Sequence, residues 1–191
     1  MVNDVDAFDA AFCFVVYGRD YEKYYAPLVE FASKLIRPGE VCAVACCEMD
    51  REFVEATLGS FSEVRIVSFP DEYLQRARLL RFLLPLFVEA DIFHFRDSDS
   101  IVSLRERQFL DAWAMLNRDI LVIRDHPLHY APILAGMVSL KRSAARILAE
   151  SLDSDISTVS KDSPYYDQLY LTQNLYIRNT ESIVVFTSCW G

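Results

Sequence analysis

Two carboxylates separated by one residue follow an apolar segment of the chain, in the run RDSDS at positions 96–100. The preceding residues, 91–95, are predicted to form a buried strand. Side chains at i and i+2, just past a strand end, can converge on one cation, and Mg²⁺ and Mn²⁺ prefer such hard oxygen ligands while keeping positions open for phosphate. The spacing therefore favours a metal–diphosphate site at Asp97 and Asp99, with a solvated turn rich in Asp and Ser as the alternative.

Basic side chains cluster ahead of this motif. Arg76, Arg78 and Arg81 fall within two turns of a helix predicted to begin after Pro70. A guanidinium pairs with phosphate through a fixed fork of donors, and it can offset the charge that grows on a departing nucleoside diphosphate. A surface cation explains any one of them equally well, so the sequence leaves the choice among the three open.

A second polar segment follows a later predicted strand. Asp125, His126 and His129 could contact hydroxyl groups of a donor or acceptor sugar. The two histidines are three positions apart, but Pro127 between them disfavours a helix, so a metal-binding pair is weakly supported. The alternative is a pair of ordinary loop histidines.

These candidates are positioned by short apolar strands that alternate with helices. Strands are predicted at 11–17, 41–47, 64–69, 91–95, 120–123 and 183–186, and helices at 21–35, 50–58, 71–87, 104–116, 142–152 and 165–175. Such alternation predicts a single α/β domain over residues 1–191, with a mostly parallel sheet flanked by helices. Because open α/β sheets bind ligands at the carboxyl ends of central strands, the carboxylate motif stands where a ligand is expected.

The composition is that of a folded domain with an acidic surface. The 191 residues are 52% apolar and carry 28 acidic against 19 basic side chains, a net charge of −9, which opposes binding to nucleic acid. The absence of a long apolar run and of a basic signal-like N-terminus predicts a cytoplasmic protein without a transmembrane segment. No CxxC pair occurs, and Cys42, Cys46 and Cys47 are predicted to be buried thiols in a strand. There is no GxxxxGK[ST] loop, and Gly18 alone is no GxGxxG fingerprint, so ATP hydrolysis and a dinucleotide cofactor are not supported.

Four segments together resemble glycosyltransferases of the GT-A fold. Among these, the chain is most similar to the retaining group of glycogenin and the lipooligosaccharide galactosyltransferases, with its short bacterial and chlorella-virus relatives. The segments are 81–85 (RFLLP), like the group's Arg-containing helix; 95–100 (FRDSDS), like its metal motif; 135–141 (AGMVSLK), like its Ala-Gly-Val strand; and 166–171 (YDQLYL), like its Asp-Gln element. Their order and rough spacing agree over residues 11–175.

The resemblance implies a Rossmann-like GT-A domain in which Asp97 and Asp99 bind Mn²⁺ or Mg²⁺ and the donor diphosphate. It also implies that Arg81 contacts the donor and that the loop after the first strand lies beside the nucleoside, where Tyr17 could stack on a base. The full set of expected donor-site residues is Tyr17, Gly18, Arg76, Arg81, Asp97, Ser98, Asp99, Asp125, His126 and Gly136.

Asp167 and Gln168 are implied as the catalytic residues nearest the sugar. In a retaining transfer, either a side chain attacks the anomeric carbon or the acceptor enters on the face from which the diphosphate leaves. Gln is a weak nucleophile, so its expected task is to stabilise an oxocarbenium-like centre. Because adjacent helical residues point about 100° apart, only one of the two is expected to face the site.

The expected function is the transfer of a sugar, with retention, from a nucleotide-diphosphate donor, a UDP-sugar, to a glycan or glycoconjugate acceptor. The group's third metal ligand, a His near the C-terminus, has no counterpart after His129. The metal is therefore expected to be held by two carboxylates, water and diphosphate, or with the help of another residue. Two alternatives remain open: a metal-dependent nucleotidyltransferase or phosphohydrolase using Asp97 and Asp99, and a nucleotide-sugar-binding domain without turnover.

Overall fold

The computed structural model describes residues 7–18, 25–124 and 131–187. Its strands are β1 (Phe8–Val16), β2 (Glu40–Cys47), β3 (Val64–Phe69), β4 (Ala90–Arg96), β5 (Ile120–Arg124), β6 (Met137–Lys141) and β7 (Ile183–Thr187). They form one sheet in the order β3-β2-β1-β4-β6-β5-β7.

Helices cover both faces of this sheet. The α-helical segments are α1 (Ala26–Glu30), α2 (Arg51–Leu58), α3 (Ala77–Leu80), α4 (Leu104–Ala114), α5 (Arg142–Asp155) and α6 (Tyr166–Leu171). Two of them, α1 and α6, continue as the π-helical segments Phe31–Leu35 and Thr172–Tyr176. Within the described part of the chain, no helix has the length and apolar character needed to cross a bilayer.

The sheet is mostly parallel, which confirms the predicted α/β class. Strands β3, β2, β1 and β4 pair in parallel, as do β5 and β7, whereas β6 runs antiparallel to its neighbours β4 and β5. The reversed direction of β6 has a consequence for the site, because its first residue, Met137, pairs with Arg96 at the end of β4. Residues just before β6 are thereby brought to the carboxylate motif.

The topological switch point of the sheet lies between β1 and β4. From β1 the chain continues to β2 and β3 on one side, whereas β4 is followed on the other side by the remaining strands. Loops that leave the carboxyl ends of β1 and β4 therefore diverge and open a crevice between them, where ligands bind in open α/β sheets. As predicted, the strand that carries the motif lies in the middle of the sheet.

The core consists of two apolar clusters, one on each face of the sheet. Phe95 belongs to one cluster and Trp113 to the other. Strand β2 is apolar at successive positions because both of its faces are covered. Cys42, Cys46 and Cys47 in this strand are fully buried, as predicted, and burial raises the pKa of each thiol.

The prediction of one continuous helix over 71–87 is wrong. This part of the chain forms a 3₁₀ helix (Asp71–Arg76), the short α3, and a second 3₁₀ helix (Arg81–Leu86). Pro85 lies inside the last of these, where it lacks the N–H group that a continuing α-helix would donate to the Arg81 carbonyl. The break changes which arginines of the segment point toward the motif.

Candidate active site

A cavity of about 610 Å³ opens in the crevice between the ends of β1 and β4. This volume is within the usual range for small-molecule sites, about 300–1,000 Å³. Its lining combines the end of β1, the motif after β4, the approach to β6, and the helical segments on either side. The polar side chains that line it are Tyr17, Tyr25, Arg78, Arg81, Arg96, Asp97, Ser98, Asp99, Ser100, Ser103, Glu106, Tyr165, Asp167 and Gln168.

Arg81 lies at the floor of this cavity and joins two of the predicted site carboxylates. Its Nη1 donates to Asp97 Oδ1 at 2.6 Å and to the Arg96 carbonyl at 2.8 Å, and its Nη2 donates to Asp167 Oδ2 at 3.4 Å. Its Nε donates to the Arg78 carbonyl at 3.1 Å. With its side chain only 2% exposed, Arg81 has all three nitrogens engaged within the protein.

The Asp97 carboxylate is held between Arg81 and Gly136. A Cβ atom on Gly136 would lie 2.0 Å from Asp97 Oδ2, far inside van der Waals contact. Gly136 was predicted as a donor-site residue, and it lines the cavity. Its contribution is that it has no side chain, which leaves room for the Asp97 carboxylate. Only glycine allows the approach to β6 to come this close to the motif.

Neighbouring arginines keep Asp97 ionised. Burial by itself would raise the pKa of this carboxyl, but the charge of Arg81 and its hydrogen bond, together with the charges of Arg96 and Arg78, hold the pKa below its ordinary value. The Asp97 side chain is nevertheless 52% exposed, so it can be reached from the cavity. At neutral pH the site thus presents a charged carboxylate to any cation that enters.

The donor set fits Mg²⁺ or Mn²⁺ when a ligand shares the coordination. Asp99 lines the cavity, is exposed, and makes no hydrogen bond or ion pair with any described residue. The residues that the structure describes include no cluster of three or more His, Cys, Asp or Glu suited to a metal. Two carboxylates supplemented by phosphate oxygens and water is the usual mode of Mg²⁺ binding at nucleotide sites.

Arg78 is the arginine that faces the cavity with donor capacity to spare. Its Nε donates to Tyr17 Oη at 3.1 Å and its Nη1 to the Pro164 carbonyl at 2.6 Å, while its Nη2 has no partner among the described residues. Its backbone N–H donates to Tyr166 Oη at 3.2 Å. Arg78 therefore links the β1 side of the cavity to the α6 side.

The loop after β1 is fixed by two side chains from elsewhere. Tyr25 Oη accepts from the Tyr17 N–H at 3.2 Å and lies 3.0 Å from the Tyr17 carbonyl. The buried Asp50 accepts from the N–H of Gly18 at 3.0 Å. Gly18 has φ of 75°, which favours glycine at this turn. Tyr17 lines the cavity as predicted, whereas Gly18 supports the loop without lining it.

Both predicted catalytic residues line the cavity, contrary to the expectation that only one would. The Asp167 carboxylate is buried and doubly engaged: Oδ2 with Arg81, and Oδ1 with the Gln168 N–H at 3.0 Å. The Gln168 side chain is partly exposed and makes no hydrogen bond with any described residue, whereas its backbone N–H and carbonyl are hydrogen-bonded. Asp167 therefore orients Arg81, and Gln168 presents an amide to the cavity.

Other predicted site residues lie elsewhere. Arg76 donates to the Val159 carbonyl at 2.8 Å and does not line the cavity. Asp125 and His126 fall outside the described residues, directly after the end of β5. The lining residues to which the sequence assigned no chemical role include Arg96, Glu106 and Tyr25, and the signal for Arg96 was its place beside the motif.

No family model and no curated protein sequence matches the chain. Solved structures do. S. aureus TarS 1-349 aligns with a TM-score of 0.59 and 13% identity over 95% of this chain and 59% of that one. The mannosyltransferase PcManGT from Pyrobaculum calidifontis, in complex with GDP-Man and Mn²⁺, aligns with a TM-score of 0.61 and 10% identity over 97% of this chain and 58% of that one.

This chain has the GT-A fold. A 4-diphosphocytidyl-2C-methyl-D-erythritol synthase from Anaerococcus prevotii aligns with a TM-score of 0.59 and 10% identity over 96% of this chain and 88% of that one. The cavity lies at the switch point of this sheet, where ligands bind in open α/β sheets. Identities this low establish the fold alone, and the chain spans less than two thirds of the TarS and PcManGT structures.

Proposed function

We propose that this GT-A domain is a metal-dependent glycosyltransferase that moves a sugar from a UDP-sugar to a glycan or glycoconjugate acceptor, with retention at the anomeric carbon. One observation carries the proposal: a single cavity at the switch point is lined by two accessible carboxylates, Asp97 and Asp99, and by a cation with a free donor, Arg78. Carboxylates for a metal and a guanidinium for phosphate are the two charges that a nucleoside diphosphate requires.

The nucleoside lies on the β1 side of the cavity in this proposal. Tyr17 lines the cavity there, and its ring is positioned by the hydrogen bond from Arg78 to its hydroxyl. An aromatic face next to a backbone fixed by Tyr25 suits a nucleobase, which stacks on one and hydrogen-bonds to the other. TarS has been solved with UDP-GlcNAc and PcManGT with GDP-Man, so uridine and guanosine donors are the first to test.

Asp97 and Asp99 hold Mg²⁺ or Mn²⁺, which when bound neutralises negative charge on the diphosphate and on the leaving group. Arg78 contributes its free Nη2 to the same phosphates. Arg81, which we expected to contact the donor, is buried and fully engaged, so its role is to orient Asp97. Ser98 lies between the two carboxylates and lines the cavity, where its hydroxyl can reach the same ligand.

Between the two routes of a retaining transfer, the state of the two residues on α6 favours the one without a covalent intermediate. A covalent intermediate requires a carboxylate free to attack, but both oxygens of Asp167 are occupied by Arg81 and the Gln168 N–H. Gln168 can instead stabilise positive charge at the anomeric centre through its amide oxygen. The acceptor then enters on the face from which the diphosphate departs, and a phosphate oxygen takes its proton.

A second candidate is metal-dependent nucleotidyl transfer. It is favoured by the similarity in size to the diphosphocytidyl-methylerythritol synthase, of which this chain spans 88%. The two reactions release different products. A glycosyltransferase releases a nucleoside diphosphate from a nucleotide sugar, whereas a nucleotidyltransferase releases pyrophosphate from a nucleoside triphosphate and a sugar phosphate.

The test is calorimetric titration of UDP, UDP-glucose, UDP-galactose, UDP-GlcNAc and GDP-mannose into the protein, with Mn²⁺ and with EDTA. The wild type is expected to bind one nucleotide family only with Mn²⁺, and Asp99→Ala to lose that binding. Asp153→Ala is the matched control, because Asp153 is exposed on α5 and lines no part of the cavity. Asp153→Ala should bind as the wild type does.

Product analysis then separates the candidates. Release of UDP from the preferred UDP-sugar, with the anomeric configuration of the product followed by NMR, supports glycosyl transfer and decides retention. Pyrophosphate release from UTP or CTP with a sugar phosphate supports the nucleotidyltransferase. Binding without either reaction indicates a nucleotide-sugar-binding domain, and absence of metal-dependent binding to any nucleotide refutes the proposal.

A further inference from the structure

Residues along β4 alternate between the two faces of the sheet, and this alternation separates two neighbouring residues of the motif. Phe95 belongs to the cluster on the Arg81 face, and Asp97 contacts Arg81 on that side. His94 packs against Phe12, a member of the opposite cluster. Arg96, two residues after His94, therefore points to the opposite face from Asp97, toward α4.

On that face Arg96 connects three parts of the site. Its Nη1 donates to the Gly136 carbonyl at 3.0 Å and lies 3.2 Å from Glu106 Oε1 on α4. Its Nη2 donates to Ser100 Oγ at 3.2 Å and to the Ile101 carbonyl at 3.3 Å. The side chain is 4% exposed, so these contacts are made away from bulk water. One guanidinium thus joins the loop 97–101, the approach to β6, and helix α4.

The loop has few other restraints. Ser100 bonds back to the Asp97 carbonyl through its hydroxyl at 3.1 Å and through its N–H at 3.3 Å, which closes a turn but does not attach it to the sheet. Arg81 attaches the loop at Asp97. At the other end of the turn the attachment comes from Arg96, which holds Ser100 and Ile101 and also the Gly136 carbonyl beside the Asp97 carboxylate. Arg96 reaches these acceptors although its buried Nε has no partner among the described residues. The guanidinium is oriented from outside the loop by the contacts of Nη1 with Glu106 and Gly136, which leave Nη2 to hold the loop.

We propose that Arg96 is a positioning residue for metal binding: it holds the loop 97–101 in the conformation in which Asp97 and Asp99 present their carboxylates to one cation. The effect of Arg96 on metal binding rests on the proposed function, whereas its restraint on the loop does not. Ordering the loop in advance removes an entropic penalty that would otherwise accompany binding. Lysine cannot replace Arg96, because a single ammonium group lacks the planar fork that reaches separate acceptors.

Arg107 provides a matched control on the same helix as Glu106. It is another buried arginine with a carboxylate partner, Glu40, and it donates to the Leu35 carbonyl at 2.7 Å. It does not line the cavity. Arg96→Lys and Arg107→Lys both keep the positive charge beside a glutamate and lose the planar fork of donors, so both are expected to lower thermal stability.

The first measurement is hydrogen exchange of the ligand-free proteins. Arg96→Lys should accelerate exchange in peptides that cover 98–101 and 134–137, and Arg107→Lys should leave those peptides as in the wild type. Ser100→Ala removes one acceptor of the Arg96 guanidinium at a partly exposed position, so it should accelerate exchange at 98–101 to a smaller degree. It serves as a second variant should Arg96→Lys fail to fold. Unchanged exchange at 98–101 in both Arg96→Lys and Ser100→Ala overturns the inference, whether or not the wild type binds nucleotide.

The second measurement separates positioning from general structural support. The affinity for UDP is measured across Mn²⁺ concentrations, at a temperature where each variant is folded. Arg96→Lys should raise the Mn²⁺ concentration needed for half-maximal binding by roughly 10- to 100-fold, the usual effect of removing a residue that orients a metal ligand, whereas Arg107→Lys should not shift it. Equal Mn²⁺ dependence in wild type and Arg96→Lys overturns the role in metal binding, and failure of the wild type to bind UDP refutes the proposed function separately.

Discussion

Replacing Gly136 by alanine tests whether the position of the Asp97 carboxylate determines metal binding. Gly136 is not one of the glycines with a positive φ, so its backbone conformation is compatible with alanine. The clash is with a side chain: the new Cβ would lie 2.0 Å from Asp97 Oδ2 and 2.4 Å from its Cγ. The half-exposed carboxylate is the part free to yield, because Gly136 itself is held by Arg96.

The size of the effect follows from these distances. Retreat to an ordinary contact of 3.4 Å or more moves Oδ2 by about 1.4 Å and Cγ by about 1.0 Å, and a carboxylate displaced on this scale lengthens and misaligns the 2.6 Å bond that its Oδ1 accepts from Arg81. A charge-assisted bond contributes about 1.5–3 kcal/mol, and the exposure of Asp97 favours the lower end. A loss of about 1.5 kcal/mol corresponds to a fall in Tm of about 3–6 °C for a domain of this size.

The assay combines thermal unfolding with UDP titration in Mn²⁺. Gly136→Ala should show the modest fall in Tm and a decrease in Mn²⁺-dependent affinity of roughly 10- to 100-fold. Gly39→Ala is the control, because its Cβ would lie 2.2 Å from Asp9 Oδ2 near the amino ends of β1 and β2, away from the carboxyl ends that form the site, with additional strain from a φ of +83°. Gly39→Ala should lose at least as much stability and bind UDP normally. Wild-type affinity in Gly136→Ala would refute the reasoning.

Three further predictions follow from charge and burial. Arg81→Met should lower the free energy of unfolding, measured in urea, by about 3–5 kcal/mol, because the buried Asp167 carboxylate loses its cation. Adding Asp167→Leu should restore much of the lost stability. If it restores none, the ion pair between Arg81 and Asp167 is not what stabilises this region. Because the pKa of Asp97 is below its ordinary value in the folded protein, its stabilisation is complete above the unfolded pKa of about 3.9 and is lost as pH falls through the lower folded pKa. Stability curves of wild type and Asp97→Asn against pH should therefore converge in acid, and parallel curves would exclude this linkage. Burial raises the pKa of Cys46 to about 12 and that of Cys47 to about 11, so both thiols should react with Ellman's reagent only after unfolding, as mass spectrometry of labelled peptides would show.

The fold was largely predictable from local patterns. Runs of apolar residues marked β2, β3, β4, β5 and β7 within one residue at each end, whereas β1 begins three residues before its predicted start. The alternation with helices predicted the mostly parallel arrangement. The predictions failed where the residues of a segment do not by themselves determine its conformation or its direction in the sheet. Pro85 lies in a segment with helical periodicity, yet the segment breaks into 3₁₀ turns. The antiparallel direction of β6 depends on which strands it pairs with, and no local pattern records that.

For the candidate site, the sequence identified residue types but not their tasks. Asp97, Asp99 and Gln168 were predicted and do line one cavity. The resemblance implied that Arg81 contacts the donor, but the structure buries this side chain between the carboxylates of Asp97 and Asp167. Arg78, three residues earlier, faces the cavity instead. Helical position alone cannot separate these two, because burial depends on which elements pack above the segment.

The sequence by itself determined the class of fold, the central strand and the carboxylates that follow it, since these depend on hydrophobic periodicity and on side-chain chemistry within a few residues. Tertiary structure decided which cations meet those carboxylates and which are neutralised. Arg81 contacts Asp97 and Asp167 across 16 and 86 positions of the chain, and Arg96 contacts Gly136 across 40. These contacts depend on the pairing order of the strands, which brings residues far apart in sequence within hydrogen-bonding distance and so determines which charged side chains pair with each other.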